Sequence, residues 1–208
     1  MTAVTTFATL QTRLGEDCNR TDAAFTAALP GFIQSAEAEA NRRLRVRQMI
    51  TNAAATINGE YELVPTGFLG LRSLEIDSTS NYALTYLTPD ALTSLKGNYT
   101  TAGKPIYFTI VGRQFQFLPA PDAGYSGLMS YWEKIPALSV SNTTNWLLDD
   151  HPDVYVAGAK AYAYDWLQDD ARSDKWTNLF SALLDSIQSD DAAQSYGATL
   201  QARPSLVI

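Results

Sequence analysis

Apolar positions recur at helical spacing at both ends of the chain and at alternate positions in the middle, so the pattern changes period twice. Phe7, Leu10 and Leu14 share one helix face, with Gly15 as a stop signal. Thr21 or Asp22 can cap the next helical stretch. There Phe25, Ala28, Leu29, Phe32, Ile33, Ala36, Ala40 and Leu44 keep one apolar stripe. Pro30 lacks an N–H and crowds the preceding turn, which predicts a short helix, a kink and a longer helix to about Leu44. Glu39 and Arg43 fall at i, i+4 on its wet side.

From Thr51 the period falls to two. Thr51, Ala53, Ala55 and Ile57 alternate with polar or small neighbours, and Asn58-Gly59 follows. That pair suits a type I′ turn, which predicts a hairpin to Glu60–Val64. Further strands are expected at Leu71–Ile76, Tyr82–Leu87, Ile106–Val111, Gln114–Leu118 and Leu128–Lys134. Gly112-Arg113 suits a II′ turn between two of them. Phe115 and Phe117 on one side, with Gln114 and Gln116 on the other, describe a half-wet antiparallel sheet. Thr88 and Pro89 open a short helix.

Beyond Pro136 the helical period returns. Ser139–Thr144 reads as a polar loop, and Pro152 opens a helix to about Asp169. That helix is rich in small residues (Ala157, Gly158, Ala159, Ala161, Ala163), with Tyr155, Tyr162 and Trp166 on one side. Trp176, Leu179, Phe180, Leu183, Leu184 and Ile187 mark a last helix. Neither end can bury its stripes alone, so the expected fold class is α+β: an antiparallel helical bundle built from both chain ends, with an inserted antiparallel β-sheet domain and an extended C-terminal tail. The expected boundaries are 1–48 and 137–190 for the bundle, 49–136 for the β domain and 191–208 for the tail.

Composition narrows the partners. The chain has 208 residues, is 46% hydrophobic and 18% charged, and so can bury a core without disulfides or metals. Its single cysteine, Cys18, leaves no disulfide framework and is expected near a helix end. No signal peptide and no bilayer-spanning run is read, so a soluble protein made in a reducing cytoplasm is expected. A net charge of −7 argues against tight non-specific nucleic-acid binding, yet suits a passage through which DNA slides without sticking.

Signatures of catalysis are missing from the sequence. His151 is the one histidine, in Asp149-Asp150-His151-Pro152-Asp153, where residues ahead of a first-turn proline are expected to cap the helix. No G-x-S-x-G elbow or phosphate-binding glycine loop occurs. The aspartate doublets 149-150, 169-170 and 190-191 fall at expected helix ends. Neither a metal, a cofactor nor a catalytic residue is therefore assigned. The basic cluster Arg42, Arg43, Arg45 and Arg47 closes the long helix, where cations offset the dipole, but it exceeds what a helix end requires. Beside that structural role it is expected to pair with carboxylates of a neighbouring subunit or partner, with direct DNA binding the minor alternative.

The order of motifs carries a resemblance. The helix from Gly31 to Arg45, the run Leu63-Val64-Pro65-Thr66-Gly67-Phe68-Leu69, and Gly103-Lys104-Pro105-Ile106-Tyr107 come first. Phe117-Leu118-Pro119-Ala120-Pro121, Ile135-Pro136-Ala137-Leu138 and Thr144-Asn145-Trp146-Leu147-Leu148 follow, then His151-Pro152-Asp153-Val154-Tyr155. Over about residues 25–203 the chain resembles the head-to-tail adaptor (connector) proteins of tailed bacteriophages, and more distantly tail tubular protein A. The resemblance implies a virion protein of the head–tail neck. It would form a twelve-fold ring of copies between the portal protein and a downstream tail or nozzle protein, touching passing DNA only transiently and no membrane. It also implies that the bundles form the ring while the C-terminal tail docks on the portal through Tyr196, Gly197, Leu200, Arg203, Leu206, Val207 and Ile208. No catalytic residue is carried over.

Two other readings compete. One is a glycan-binding or glycan-cleaving tail module using Tyr82, Tyr86, Tyr107, Phe115, Tyr131 and Trp132. The other is a cellular helical scaffold unrelated to phage.

Overall fold

A computed structural model describes residues 3–76 and 82–197. The chain divides into two compact units, one running up to Gln48 and resuming at Ile135, the other spanning Met49–Lys134. The α+β class is as expected.

The first unit is helical. Helix α1 (Phe7–Cys18) starts at Thr6, whose hydroxyl accepts from the Thr9 N–H while Thr9 Oγ1 accepts from the Thr6 N–H. Gly15 does not stop it. The helix continues to Cys18 and closes on Asn19 in the left-handed region at φ 51°, a conformation asparagine tolerates. Helix α2 (Ala23–Arg43) is capped by Asp22, whose carboxylate accepts from the Phe25 N–H at 3.0 Å. It is one helix that passes through Pro30, where two were expected. Phe25 and Leu29 before the proline, and Phe32, Ile33, Ala36 and Ala40 after it, are all buried. Burying both halves of that stripe offsets the one lost hydrogen bond.

Asn145 caps a short helix α4 (Trp146–Asp150) that the periodicity did not reveal. Helices α5 (Pro152–Trp166) and α6 (Asp170–Gly197) follow. Helix α5 is central, packed against α1, α2, α4 and α6. Its small residues allow the close approach: a Cβ added to Gly158 would lie 2.8 Å from both Ala36 Cβ and Phe180 Cε2. Helix α6 runs past Asp190, where an extended tail was expected to begin, as far as Gly197. Ala192, Ala193 and Gln194 are strong helix formers that prolong it.

The second unit is built on two four-stranded sheets. One has the order β1 (Ile50–Ile57), β8 (Tyr125–Glu133), β3 (Phe68–Ile76) and β4 (Tyr82–Ala83). The other has β2 (Tyr61–Leu63), β7 (Gln114–Leu118), β6 (Tyr107–Val111) and β5 (Thr85–Tyr86). Ile57, Leu74, Ile76, Met129 and Tyr131 from the first sheet share a core with Phe108, Phe115 and Phe117 from the second. Gly112, at φ 61°, turns β6 into β7 as expected. Thr88 caps α3 (Pro89–Leu95) with Pro89 in its first turn.

The Asn58-Gly59 hairpin does not form. Strand β1 pairs with β8 and β2 pairs with β7, so the dipeptide carries the chain from one sheet to the other. Neither residue has a positive φ, and both N–H groups donate to Glu62 Oε1, at 2.9 and 3.0 Å. Pairing all eight residues of β1 with β8 sets Ala53 beside Met129 and Thr51 beside Tyr131, whereas β2 offers only three residues. The expected strand Tyr82–Leu87 likewise splits, with β4 in one sheet and β5, parallel to β6, in the other.

Candidate functional site

The arginine cluster lies where α2 ends, and its guanidinium groups find partners in their own chain. Arg43 donates to Ser181 Oγ at 2.8 Å and to Asp185 Oδ1 at 2.6 Å. Arg47 donates through Nε to Asp191 Oδ1 at 2.7 Å and through Nη2 to Gln194. These bonds tie the end of α2, and the turn after it, to the second half of α6. Arg45 caps α2 by donating to the Asn41 carbonyl at 2.8 Å. Arg42 pairs with Glu39, one turn back, so Glu39 is engaged by Arg42 where an Arg43 partner was expected. The seam remains wet: Asp185 is 72% and Arg47 50% exposed. Ion pairs this exposed contribute little to stability, and they leave charge on the surface.

Beside the seam, α2, α5 and α6 enclose a groove of about 390 Å³ lined by Glu39, Arg43, Tyr162, Asp165, Asn178 and Ser181. Its walls mix charged side chains of both signs with apolar ones, Ala161 and Phe180 among them.

A second polar centre is buried. Glu37, on the apolar stripe of α2, is only 5% exposed. Its Oε1 accepts from the Leu138 N–H at 2.8 Å and from the Tyr155 hydroxyl at 3.0 Å. Asn145 Nδ2 in turn donates to the Tyr155 hydroxyl and to the Pro136 carbonyl, both at 2.7 Å, while Asn145 Oδ1 accepts from the Leu148 N–H. One network thus fixes the 135–145 segment to α2, α4 and α5. Burial raises the Glu37 carboxyl above its ordinary value, outweighing the two hydrogen bonds that favour the anion. Burial, together with the facing Glu37 carboxylate, pushes the Tyr155 hydroxyl far up. The network holds a junction; it presents no exposed acid or base.

A third charged group lies near the other end of α5. Asp17 is paired with Arg13 at 2.8 Å and with the buried Lys160, whose ammonium stands 4.2 Å from the Trp176 ring centre. Burial would raise the Asp17 carboxyl, but Lys160 and Arg13 together hold it below its ordinary value.

The remaining sequence candidates are dispersed. His151 occupies the position before α5 but its imidazole makes no capping hydrogen bond, so Asn145, ahead of α4, supplies the cap in that region. Among the described residues no group of three or more metal-ligating side chains comes together. Tyr196 lies in the last turn of α6 and Gly197 ends it, while Leu200, Arg203, Leu206, Val207 and Ile208 lie outside the described residues. The aromatic residues of the strand unit do not form one platform. Phe115 and Tyr131 are core residues, whereas Tyr86 and Trp132 belong to different sheets.

Sequence reasoning passed over Glu37 and Lys160. The signal was present, because both fall on buried helical stripes: Glu37 is i+4 from Ile33, and Lys160 is i+3 from Ala157. A charge at such a position implies a buried partner.

These networks tie the helices of the first unit together, beside a surface that stays charged and open. The family model described as SU10 adaptor protein matches residues 5–203, and the chain belongs to that family of phage head-to-tail adaptors. The family is structural and non-enzymatic, its members being virion components that interact with other phage head and tail proteins. Comparison with individually curated proteins gives no match. No helix among the described residues is long and apolar enough to cross a membrane.

Proposed function

We propose that the chain forms a homo-oligomeric ring, twelve-fold, that joins the portal protein to the downstream tail or nozzle protein and lets the genome pass through its centre. The observation that carries this reading is the family match over residues 5–203, almost the whole chain. In this reading the helical units form the ring and the strand unit faces the tail or the outside.

The exposed side of the Arg42, Arg43, Arg45 and Arg47 seam meets acidic groups of a neighbour, and residues 191–208 dock on the portal, chiefly through Tyr196 and the residues beyond it. The net charge of −7 supports a passage that DNA does not grip. The test is the solution mass of the purified chain, alone and mixed with the portal ring, by light scattering. A small species that converts to a ring-sized complex on the portal is the expected result. A chain that neither forms rings nor binds a portal overturns the reading.

A further inference from the structure

Strand β1 is an edge strand of eight residues, Ile50–Ile57, whose hydrogen-bonded neighbour is β8. Alternate residues of an edge strand turn their N–H and C=O groups outward, so half of this strand's backbone faces away from β8. Among the described residues, no backbone hydrogen bond from outside the sheet engages β1.

Proteins normally blunt such an edge with a charge, a proline, a bulge or a short strand. The other edges of this unit follow that rule, since β2 has three residues and β4 and β5 have two each. Strand β3, which extends beyond β4, carries two register irregularities and Arg72. Strand β1 has none of these devices. Its sequence, Ile-Thr-Asn-Ala-Ala-Ala-Thr-Ile, contains no charge and no proline, and its register with β8 is unbroken.

We propose that the unassembled chain pairs with a second copy through β1, antiparallel and centred on Ala54. The occupant follows from the strand itself, because an incoming partner must also be open, unbulged and uncharged, and β1 meets those conditions. Only registers that set residues of the same face opposite one another are possible. Centring on Ala54 does so: Ala54 faces Ala54 of the second copy, Asn52 faces Thr56, and Thr51 faces Ile57. On the outer face Ala54 lies opposite Leu128 of β8, which is 51% exposed. The joined sheets therefore carry a continuous apolar row, Leu128-Ala54-Ala54-Leu128, with no like charges opposed. A pair related by a twofold axis does not close a ring, so the dimer is a state of the free chain and stands or falls independently of the adaptor reading.

The test uses the full-length chain without any portal. Light scattering from about 1 to 100 µM, the range in which modest interfaces dissociate, is expected to show a monomer–dimer equilibrium. Ala54→Lys sets two ammonium groups opposite each other and is expected to weaken the dimer several-fold. Far-UV circular dichroism checks that the variant folds. In a Cys18→Ser background, Ala54→Cys is expected to form an intermolecular disulfide on mild oxidation. Opposed residues in an antiparallel pair have Cα atoms about 4.5–5.5 Å apart, within disulfide range. Thr56→Cys in the same background, facing Asn52 of the second copy, is expected to remain reduced. A wild-type chain that stays monomeric overturns the proposal. So does a dimer unaffected by Ala54→Lys, one that crosslinks as well through Cys at 56 as at 54, or one that grows into larger species.

Discussion

At Gly158 the backbone of α5 lies close against Ala36 of α2 and Phe180 of α6, and replacing it with alanine tests that packing directly. The new Cβ would stand 2.8 Å from Ala36 Cβ and 2.8 Å from Phe180 Cε2, well inside the roughly 3.5–4.0 Å at which carbon atoms rest. Neither neighbour can swing into solvent, since Ala36 is 3% and Phe180 4% exposed. Overpacking of this kind costs about 1–3 kcal/mol. Alanine returns up to about 1 kcal/mol through its better helix propensity, and with two contacts at 2.8 Å placing the cost in the upper part of that range, the net loss is about 1–2 kcal/mol. For a chain of this size that lowers the melting temperature by about 2–8 °C. Trp146, Trp166 and Trp176 belong to the helical unit and only Trp132 to the strand unit, so tryptophan fluorescence during urea unfolding reports mainly the unit in question. The midpoint should fall with little change in slope. Adding Ala36→Gly should recover only part of the loss, because the Phe180 contact persists. A Gly158→Ala protein as stable as wild type, or more so, would refute the claim that this glycine is required for close helix approach.

The buried network makes two further predictions. Because burial raises the folded-state value of Glu37, stability from that group is full below its unfolded value and lost as pH rises through the raised one. Glu37→Gln keeps an acceptor for Leu138 and Tyr155 without the charge, so urea titrations should show the variant gaining on wild type from acid to neutral pH; a constant difference would contradict this. Tyr155→Phe removes the hydroxyl between Asn145 and Glu37 and should cost about 1–3 kcal/mol by the same assay, with a loss below the low end indicating that the network relaxes without it. At the exposed seam, Arg43→Ala and Arg47→Ala should each change monomer stability by about 1 kcal/mol or less while reducing capture by the portal ring. Large destabilisation with unchanged capture would make the cluster an internal tie rather than an interface.

Legibility in the sequence followed the range of the interaction that decided each element. The helices were readable because their stripes and caps lie within a turn or two of each other, as at Asp22, Thr88 and Pro152. Pro30 misled because its penalty is local, whereas the burial that outweighs it extends from Phe25 to Ala40. Asn58-Gly59 misled for the same reason. A turn preference is a local term of about 1 kcal/mol, but pairing is chosen by which partner strand brings Met129 and Tyr131 over the core, and those residues lie about seventy positions away. The arginine cluster was legible as an anomaly and not as a contact, since nothing in Arg42–Arg47 indicates that Asp185 and Asp191 of the same chain lie within reach. Glu37 is the instructive miss. Residue type alone assigns it to solvent, while its position on the Ile33–Ala40 stripe assigns it to the core, and the second assignment is the one the fold obeys. Where the two disagree, the charged residue needs partners from elsewhere in the chain, and here Tyr155 and Leu138 provide them.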